Sequence, residues 1–487
     1  MKKNHILKNC FLLFVSTLLI GGCDSGTTPS GIGNDAEPQY IKGGGTNGGK
    51  IDGRLNVFVY DDDTDKPIKE AFVMLGPGPE PDFWGFTDET GLITFRNSNI
   101  DGPQELTVYK EGFPLSVMFG LDAANITLSM KPTTPVETAT VETATVKGKV
   151  TGLDKIDTPP AGSFKLAVVS FTLPSIFTPE FEDVQKIEQP PGNLNLVSPQ
   201  MQRDTYELTT RVGKHAVYAL GGIYTPGQNN QADTFELKFL GLTDITTKKD
   251  EMKEGIDIDL SIPLSKPAKI LVTKLPKGSD SAGGIVLLDM NDRGTILFSL
   301  SGDREGKELT TSLPELAGDL DGSSLTLFVQ AFKQVCQGQG DQENCTEEPP
   351  SSIKIEKKVA LKDLENKEVY DLLEPLEEMD VDTNSWSFSF KAPSDIDIIT
   401  SDLVIKGATE DEDQKLASVT LFNSSMDSFA LPELPDTSGF NGFSSKDITW
   451  QGGAMRFDSG TDPFNIHFDD IGKFITHMSQ AEKSLAQ

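Results

Sequence analysis

Histidine and cysteine are scarce in this sequence, and the shortage limits the chemistry that the chain can carry out. Its 487 residues include four histidines and four cysteines. Neither His-x-x-Glu nor His-Glu-x-x-His occurs, so ligand pairs at the spacings of zinc peptidases are absent. A nucleophile elbow, a phosphate-binding loop and a dinucleotide fingerprint are absent as well. We therefore predict that the chain is not an enzyme. The alternative is a hydrolase within residues 266–487 that depends on His467.

Basic residues are also in the minority. The chain has 43 Lys and Arg against 74 Asp and Glu, a formal net charge of −31. This charge repels phosphate over most of the surface, which argues against nucleic acid as a partner. Calcium is the one candidate cofactor, because hard cations bind several carboxylate oxygens in one flexible loop. The best candidate ligands are Asp61, Asp63 and Asp65, although a solvated acidic turn is the favoured interpretation.

A hydrophobic run long enough to span a membrane is missing from the N-terminus. The apolar run from Cys10 to Ile20 has eleven residues, whereas a spanning helix needs about 20. Lysines precede this run and two glycines follow it. A basic start, a short apolar run and small residues predict a cleaved signal peptide at residues 1–22.

The stretch Ile20-Gly21-Gly22-Cys23 resembles the lipobox of bacterial lipoproteins. The resemblance implies that Cys23 carries the lipid, palmitate included, and becomes the first residue of the mature chain. It also implies a protein anchored in the cell membrane or outer membrane that faces the periplasm or the exterior. The alternative is an ordinary secretory leader with an incidental cysteine.

Two cysteines remain outside the leader and the anchor, Cys336 and Cys345. They flank a polar loop, and an exported chain reaches an oxidising compartment. We predict a disulfide between them that closes the loop and stabilises the fold by about 2 to 3 kcal/mol.

The composition divides the rest of the chain into a tether and several β-rich regions. Residues 23–50 are rich in glycine and polar residues, which predicts a flexible tether behind the lipidated cysteine. From residue 51 onward, short alternating runs separated by turn residues predict an all-β fold of tandem β-sandwich domains. The predicted sandwiches cover 51–131 and 147–265, with a linker at 132–146 between them and a β-rich region at 266–487 after them.

The C-terminal region is expected to end in an amphipathic helix. Apolar residues recur there at helical spacing, and two aspartates that suit a helix N-terminus precede them. The residues of this apolar stripe are Ile471, Phe474, Ile475, Met478 and Leu485.

The order of elements in residues 51–131 resembles the carboxypeptidase regulatory-like domain. The matching positions are Gly53, Pro67-Ile68, Ala71, Thr87-Asp88, Gly91, Phe95 and Gly112-Phe113. The resemblance implies a transthyretin-like sandwich over these residues.

Trp84, with Phe83 and Phe86 beside it, is a candidate ligand-binding residue at a loop edge of the first sandwich. Sugar-binding sandwiches use such rings to stack on pyranose faces. The favoured interpretation is a ring that covers the core or a sheet edge.

Together these observations predict a lipid-anchored cell-envelope protein that acts as a non-catalytic binding or scaffold module. The alternative is a carbohydrate-binding surface lipoprotein of an uptake or adhesion system. The expected partners are the membrane, through the lipid anchor, and a glycan or an envelope protein.

Overall fold

The computed structural model describes residues 38–486, apart from eleven internal segments. Those segments are 79–80, 134–141, 174–193, 228–233, 303–306, 338–343, 348–350, 406–413, 423–424, 441 and 444–446. The predicted signal peptide, Cys23 and the first part of the predicted tether therefore lie outside the described residues.

The chain is all-β, as the sequence predicts, and it divides into two compact units. The first unit is discontinuous and combines Met1–Thr138 with Leu373–Gln487, while the second unit is Ala139–Leu372.

The elements follow in chain order. The N-terminal part of the first unit contains β1 (Gly45–Asn47), β2 (Asp52–Asp61), β3 (Lys66–Pro67), β4 (Phe72–Leu75), β5 (Phe83–Phe86), β6 (Leu92–Asp101), β7 (Gln104–Tyr109), β8 (Leu115–Leu121) and β9 (Asn125–Met130). The second unit contains β10 (Thr143–Thr151), β11 (Phe164–Phe171), β12 (Asn195–Val197), β13 (Thr205–Arg211), β14 (Gly213–Thr225), β15 (Thr234–Thr247), β16 (Met252–Lys253), β17 (Ile258–Asp259), β18 (Ile262–Pro263), β19 (Lys266–Val272), β20 (Ser281–Asp289), β21 (Thr295–Gly302), β22 (Glu308–Leu313), β23 (Ser324–Phe332), β24 (Gln334–Gln337), β25 (Asn344–Glu347), β26 (Ser352–Glu356), the helix α1 (Leu361–Leu364) and β27 (Lys367–Val369). The C-terminal part of the first unit contains β28 (Glu377–Asp382), β29 (Ser387–Lys391), β30 (Ile398–Ile405), β31 (Gln414–Leu421), β32 (Ser428–Ala430), β33 (Asp447–Phe457), β34 (Ile466–His467), the helix α2 (Ile471–Phe474) and β35 (Ile475–Ala486).

Alternation of side chains explains why these segments form strands. In β13, the side chains of Tyr206, Leu208 and Thr210 are buried, and the residues between them are more exposed. This period of two is that of a strand with one face on the core. In β9 every residue is buried, because its polar face is covered as well: Asn125, Thr127 and Ser129 hydrogen-bond to Asn56, Ile41 and Asp62.

Two sheets of the first unit pack face to face. The first sheet has the strand order β3-β2-β9-β1-β34, with β6 also paired to β2. The second sheet starts at the edge strand β5, runs through β4, β7 and β8, and continues within this unit through β31, β30, β33 and β35. A Cβ atom at Gly85 of β5 would lie 2.8 Å from Cδ1 of Ile93 on β6. The two sheets therefore touch closely at this edge.

A third layer covers the other face of the second sheet. It is the small sheet β28-β29-β32. The ring centroid of Phe388 lies 4.7 Å from that of Phe429 and 5.0 Å from that of Trp450. The same core includes Val117 of β8 and Val419 of β31. The C-terminal strands thus complete the sandwich that the N-terminal strands begin.

The second unit also has a central sheet with a core on each face. Its strand order is β12-β11-β14-β15-β18. On one face, Val217 packs in a core with Leu208 of β13. On the other face, Leu240 packs in a core with Ile270 and Phe298, which belong to the sheet β27-β19-β22-β21-β20-β23-β26.

The predicted C-terminal helix is wrong. The helix α2 covers only Ile471–Phe474, and the chain then extends as β35, antiparallel to β33. Ile475, His477 and Ser479 are buried, and the residues between them are more exposed. Apolar residues at three- and four-residue spacing resemble a helix, but pairing with a distant strand imposes the period of two.

The predicted tether ends earlier than residue 50. The strand β1 lies between β9 and β34, where Gly45 pairs with both Thr127 and His467. A Cβ atom at Gly45 would lie 2.5 Å from the carbonyl oxygen of Ile466. Gly45 therefore permits close packing of the strands, whereas the glycine-rich composition of the segment alone indicates a flexible chain.

Two predicted domain boundaries also differ from the structure. The strand β10 begins at Thr143, inside the predicted linker 132–146. The predicted region 266–487 divides at Leu373, where the chain returns to the first unit. The reason is the parallel pairing of β31 with β8, a contact between distant residues that local patterns do not encode.

Candidate functional site

The most distinctive surface of the first unit is the edge strand β5. Among the described strands, β5 pairs only with β4, in the antiparallel register Phe72↔Phe86 and Met74↔Trp84. Trp84 and Phe86 are two residues apart, so their side chains lie on the same face of the sheet. The two residues remain 46% and 45% exposed. Two large apolar rings therefore face solvent side by side at an open sheet edge.

A buried ring supports both exposed rings. Phe72 on β4 is only 1% exposed, and its ring centroid lies 5.9 Å from that of Trp84, with an interplanar angle of 30°. Phe86 stands edge-on to both, with centroids 5.7 Å from Phe72 and 6.2 Å from Trp84. We name Phe72, Trp84 and Phe86 the aromatic corner, because the planes of Trp84 and Phe86 meet at 86°.

The hydrogen bonds next to β5 determine where its backbone groups point. The N–H of Thr87 donates to the carbonyl oxygen of Ala71 at 3.0 Å. Antiparallel pairs alternate between hydrogen-bonded and non-hydrogen-bonded positions. Thr87 therefore occupies a hydrogen-bonded position relative to β4, and so does Gly85, two residues before it. Trp84 and Phe86 occupy the non-hydrogen-bonded positions. The N–H and C=O groups of Trp84 and Phe86 therefore point to the open edge, beside their rings.

Glu105 introduces an unusual carboxyl group near this edge. It lies on β7, which is separated from β5 by β4 alone. Burial raises the pKa of Glu105 to about 7, because a charged carboxylate loses hydration in a partly buried position. Sequence patterns did not single out Glu105. The one signal in the sequence is an acidic residue directly before the mostly apolar end of the same strand, Leu106 to Tyr109.

The carboxylates of Asp61 and Asp65, in the acidic turn after β2, form hydrogen bonds and an ion pair within the protein. Asp61 Oδ1 accepts hydrogen bonds from the N–H groups of Asp63 at 2.9 Å and Thr64 at 3.2 Å. Asp65 Oδ1 accepts a hydrogen bond from the hydroxyl of Tyr40 at 3.1 Å. Lys42 Nζ lies 3.9 Å from the other oxygen of Asp65. These contacts are those of a self-capped turn, and calcium binding there stays a prediction.

The histidines of the C-terminal region lie on separate strands. His467 is exposed on β34, and His477 is buried on β35. Within the part of the chain that the structure describes, no group of three or more His, Cys, Asp or Glu side chains is placed to hold a metal ion.

The two cysteines of the predicted disulfide lie opposite each other in the hairpin β24–β25. Cys336 pairs with Cys345 in the antiparallel register. Opposed residues have Cα atoms about 4.5 to 5.5 Å apart, a separation that a disulfide can span. The side chains themselves lie outside the described part, so the disulfide stays a prediction. Cys23, the predicted lipidation site, lies outside the described residues altogether.

None of the described helices is long and apolar enough to cross a bilayer. No family model matches the chain, and no curated protein matches it.

Among solved structures, the Bacillus anthracis TIE protein is 10% identical over 61% of this chain and 48% of that protein, with a TM-score of 0.14. The chain thus spans about half the length of the TIE protein. The shaft pilin SpaA from Lactobacillus rhamnosus GG is 12% identical over 43% of this chain and 98% of that protein, with a TM-score of 0.13. A likeness at this level assigns neither a ligand nor an activity to the chain.

Proposed function

We propose that this chain is a lipid-anchored cell-envelope protein whose β-sandwich body binds a partner without catalysing a reaction. The aromatic corner is the observation that carries this proposal. Adjacent exposed rings form an apolar patch, which marks a contact surface more often than singly scattered apolar residues do, and here a buried ring supports both of them. The leader, with Cys23 after two glycines, supports the anchor.

The lipid anchor is tested by labelling the full chain with radioactive palmitate in a bacterial host. The wild-type chain is expected to take up label and to sediment with membranes. Cys23→Ser is expected to lose the label and to move to the soluble fraction. Cys10→Ser is the matched control, because it removes a cysteine of the leader and leaves the anchor position intact. Equal labelling of wild type and Cys23→Ser would refute the anchor.

The binding surface is tested by chemical crosslinking of the anchored chain in intact envelopes, with reagents that couple to amines and, in parallel, to periodate-oxidised glycans. Trp84→Ala is expected to remove the crosslinked species that the wild type forms. Tyr370→Ala is the matched control, since Tyr370 is an aromatic residue 65% exposed in the second unit. Crosslinked species that are the same in all three proteins would show that the aromatic corner is not the contact surface.

A further inference from the structure

We infer that the aromatic corner binds one ring of a neutral saccharide, stacked on Trp84 and bordered by Phe86. This inference rests on the proposed function and specifies the chemical class of its ligand. The Trp84 ring stacks on Phe72, with centroids 5.9 Å apart and planes at 30°, and the residue is still 46% exposed. The ring therefore rests on the protein and still offers exposed surface to a ligand.

The angle between the two exposed rings favours a single ligand ring. Trp84 and Phe86 meet at 86°, so they form a floor and a wall where two coplanar rings would form a continuous platform. A pyranose ring presents axial C–H groups on one face, and these carry a slight positive charge. The face of an aromatic ring is negative and its edge is positive. The C–H face of a pyranose is therefore electrostatically complementary to the face of Trp84, and the Phe86 ring restricts movement of the sugar along the strand.

The backbone of β5 supplies the polar contacts that a sugar needs. The N–H and C=O groups of Trp84 and Phe86 point to the open edge, as the register with β4 requires. Sugar hydroxyls both donate and accept hydrogen bonds, so they can pair with either group. Polar groups fixed next to an apolar surface are the usual composition of a small-molecule site.

The size of the surface argues against a protein partner at this position. The exposed parts of Trp84 and Phe86 amount to roughly 200 Å², whereas a stable protein interface needs about 800 Å² from each partner. The strand β5 offers only four residues for pairing with an added strand. A second copy of the chain would also meet a like charge, since the net charge is −31. The same charge disfavours an anionic ligand, so neutral saccharides are the ones to test.

Tryptophan fluorescence provides a direct test with the full chain. The chain has three tryptophans. Trp450 is fully buried and Trp386 is partly buried, so Trp84 is the exposed one. Neutral oligosaccharides of glucose, galactose, mannose and N-acetylglucosamine serve as probes, with calorimetry as a second readout. At least one is expected to change the emission and to bind with a Kd of about 1 mM or lower.

Variants separate stacking from other modes of binding. Trp84→Ala is expected to weaken saccharide binding roughly tenfold, and Trp84→Phe is expected to retain most of it in calorimetry. Tyr370→Ala is expected to bind like the wild type. Melting curves of each variant verify that it is folded. Addition of a calcium chelator is expected to leave the affinity unchanged, because the site does not include the acidic turn after β2.

Several results would overturn the saccharide assignment. They are the absence of binding by all probes at about 10 mM, equal affinity of wild type and Trp84→Ala, loss of binding in chelator, and a dimer in sedimentation that Trp84→Ala dissociates. Failure here is distinguishable from failure of the proposed function. Envelope crosslinks that depend on Trp84, without saccharide binding, would refute only the ligand class. Equal palmitate labelling of wild type and Cys23→Ser would refute the anchor in the proposed function, independently of the saccharide results.

Discussion

One partly buried and one fully buried ionisable side chain connect the stability of this protein to pH, in opposite directions. Glu105 has a pKa raised to about 7 by burial. His215 has a pKa lowered to about 4, chiefly by burial and also by the nearby charge of Arg211. Both shifts favour the neutral form of the side chain in the folded state. The folded protein is therefore destabilised when either group must take its charge.

We predict that Glu105→Gln stabilises the protein at high pH only. The unfolded carboxyl loses its proton near pH 4.5, and the folded one near 7, so wild-type stability falls as the pH rises through that interval. At pH 8 the variant is expected to be more stable by about 2 kcal/mol, which is less than the full shift because Glu105 is only partly buried. At pH 4 the two proteins should be equally stable.

Denaturant unfolding at pH 4, 6 and 8 measures this difference. Glu111→Gln is the matched control, because Glu111 is exposed beyond the end of the same strand. An advantage of Glu105→Gln that is the same at every pH would contradict the prediction.

We predict that His215 destabilises the protein in acid. The side chain is 0% exposed, and its Nε2 atom has no hydrogen-bond partner among the described residues. The unfolded imidazole gains a proton near pH 6.5, and the folded one near 4. Its contribution to stability is therefore complete above pH 6.5 and is lost as the pH falls to 4, by about 3 kcal/mol.

His215→Phe removes the titrating group and keeps a ring next to Phe171, whose centroid lies 6.0 Å from that of His215. Below pH 6.5 the free energy of unfolding of the variant should fall less steeply than that of the wild type. Parallel pH curves for the two proteins would show that His215 titrates alike in both states.

At the scale of single elements, β1 shows how a short strand depends on a residue without a side chain. It joins β9 to β34, and Gly45 has a φ of 146°. We predict that Gly45→Ala destabilises the first unit by about 2 kcal/mol, because the new Cβ atom would lie 2.5 Å from the carbonyl oxygen of Ile466.

Gly49→Ala is the matched control for Gly45→Ala in a thermal melt. Gly49 also has a positive φ, 74°, but a Cβ atom there would meet nothing within 4 Å. The control is expected to cost about 1 kcal/mol of backbone strain alone. Equal melting temperatures for the two variants would mean that the clash at β1 relaxes without cost.

The hairpin β24–β25 carries a prediction of its own. If Cys336 and Cys345 are joined, titration of the unreduced, denatured protein should find neither thiol free. Cys345→Ser should then lower the free energy of unfolding by about 2 to 3 kcal/mol. Reduction of the wild type should lower its free energy of unfolding by the same amount. Reduction of the double variant Cys336→Ser, Cys345→Ser should leave its free energy of unfolding unchanged. An oxidised wild type with both thiols free would contradict the disulfide.

For the whole molecule, the two units predict which fragments fold. The fragment 139–372 contains both cores of the second unit, so we expect it to unfold cooperatively on its own. A fragment ending at residue 265 would leave Leu240 without the core that it shares with Ile270. It is expected to bind the dye ANS, a sign of exposed apolar surface.

Circular dichroism and thermal unfolding of the two fragments decide this prediction. A cooperative transition for 147–265, with no ANS binding, would restore the boundary at residue 266 that the sequence suggests. The absence of a transition for 139–372 would show that the second unit depends on the first.

Local features of the sequence determined the fold class and the position of the candidate site. Alternating runs between turn residues predict strands, since a half-buried strand needs a period of two. The cluster of Trp84 and Phe86 also stands out by residue type alone. The exposure of these rings cannot be predicted from residue type, because an aromatic pair in a strand packs equally well in a core. The rings are exposed here because β5 is an edge strand.

Only the tertiary structure decided the partition of the chain, the C-terminal strand and the strand within the predicted tether. Each depends on pairing between residues far apart in sequence: β31 with β8, β35 with β33, and β1 with β34. Sequence periodicity records which residues share a face of one element, and it carries no information about which distant strand supplies the hydrogen bonds. The sequence thus determined a chain of β-strands with a predicted lipid anchor. Long-range hydrogen bonding decided how the C-terminal strands complete the first unit and leave the aromatic corner at an open edge.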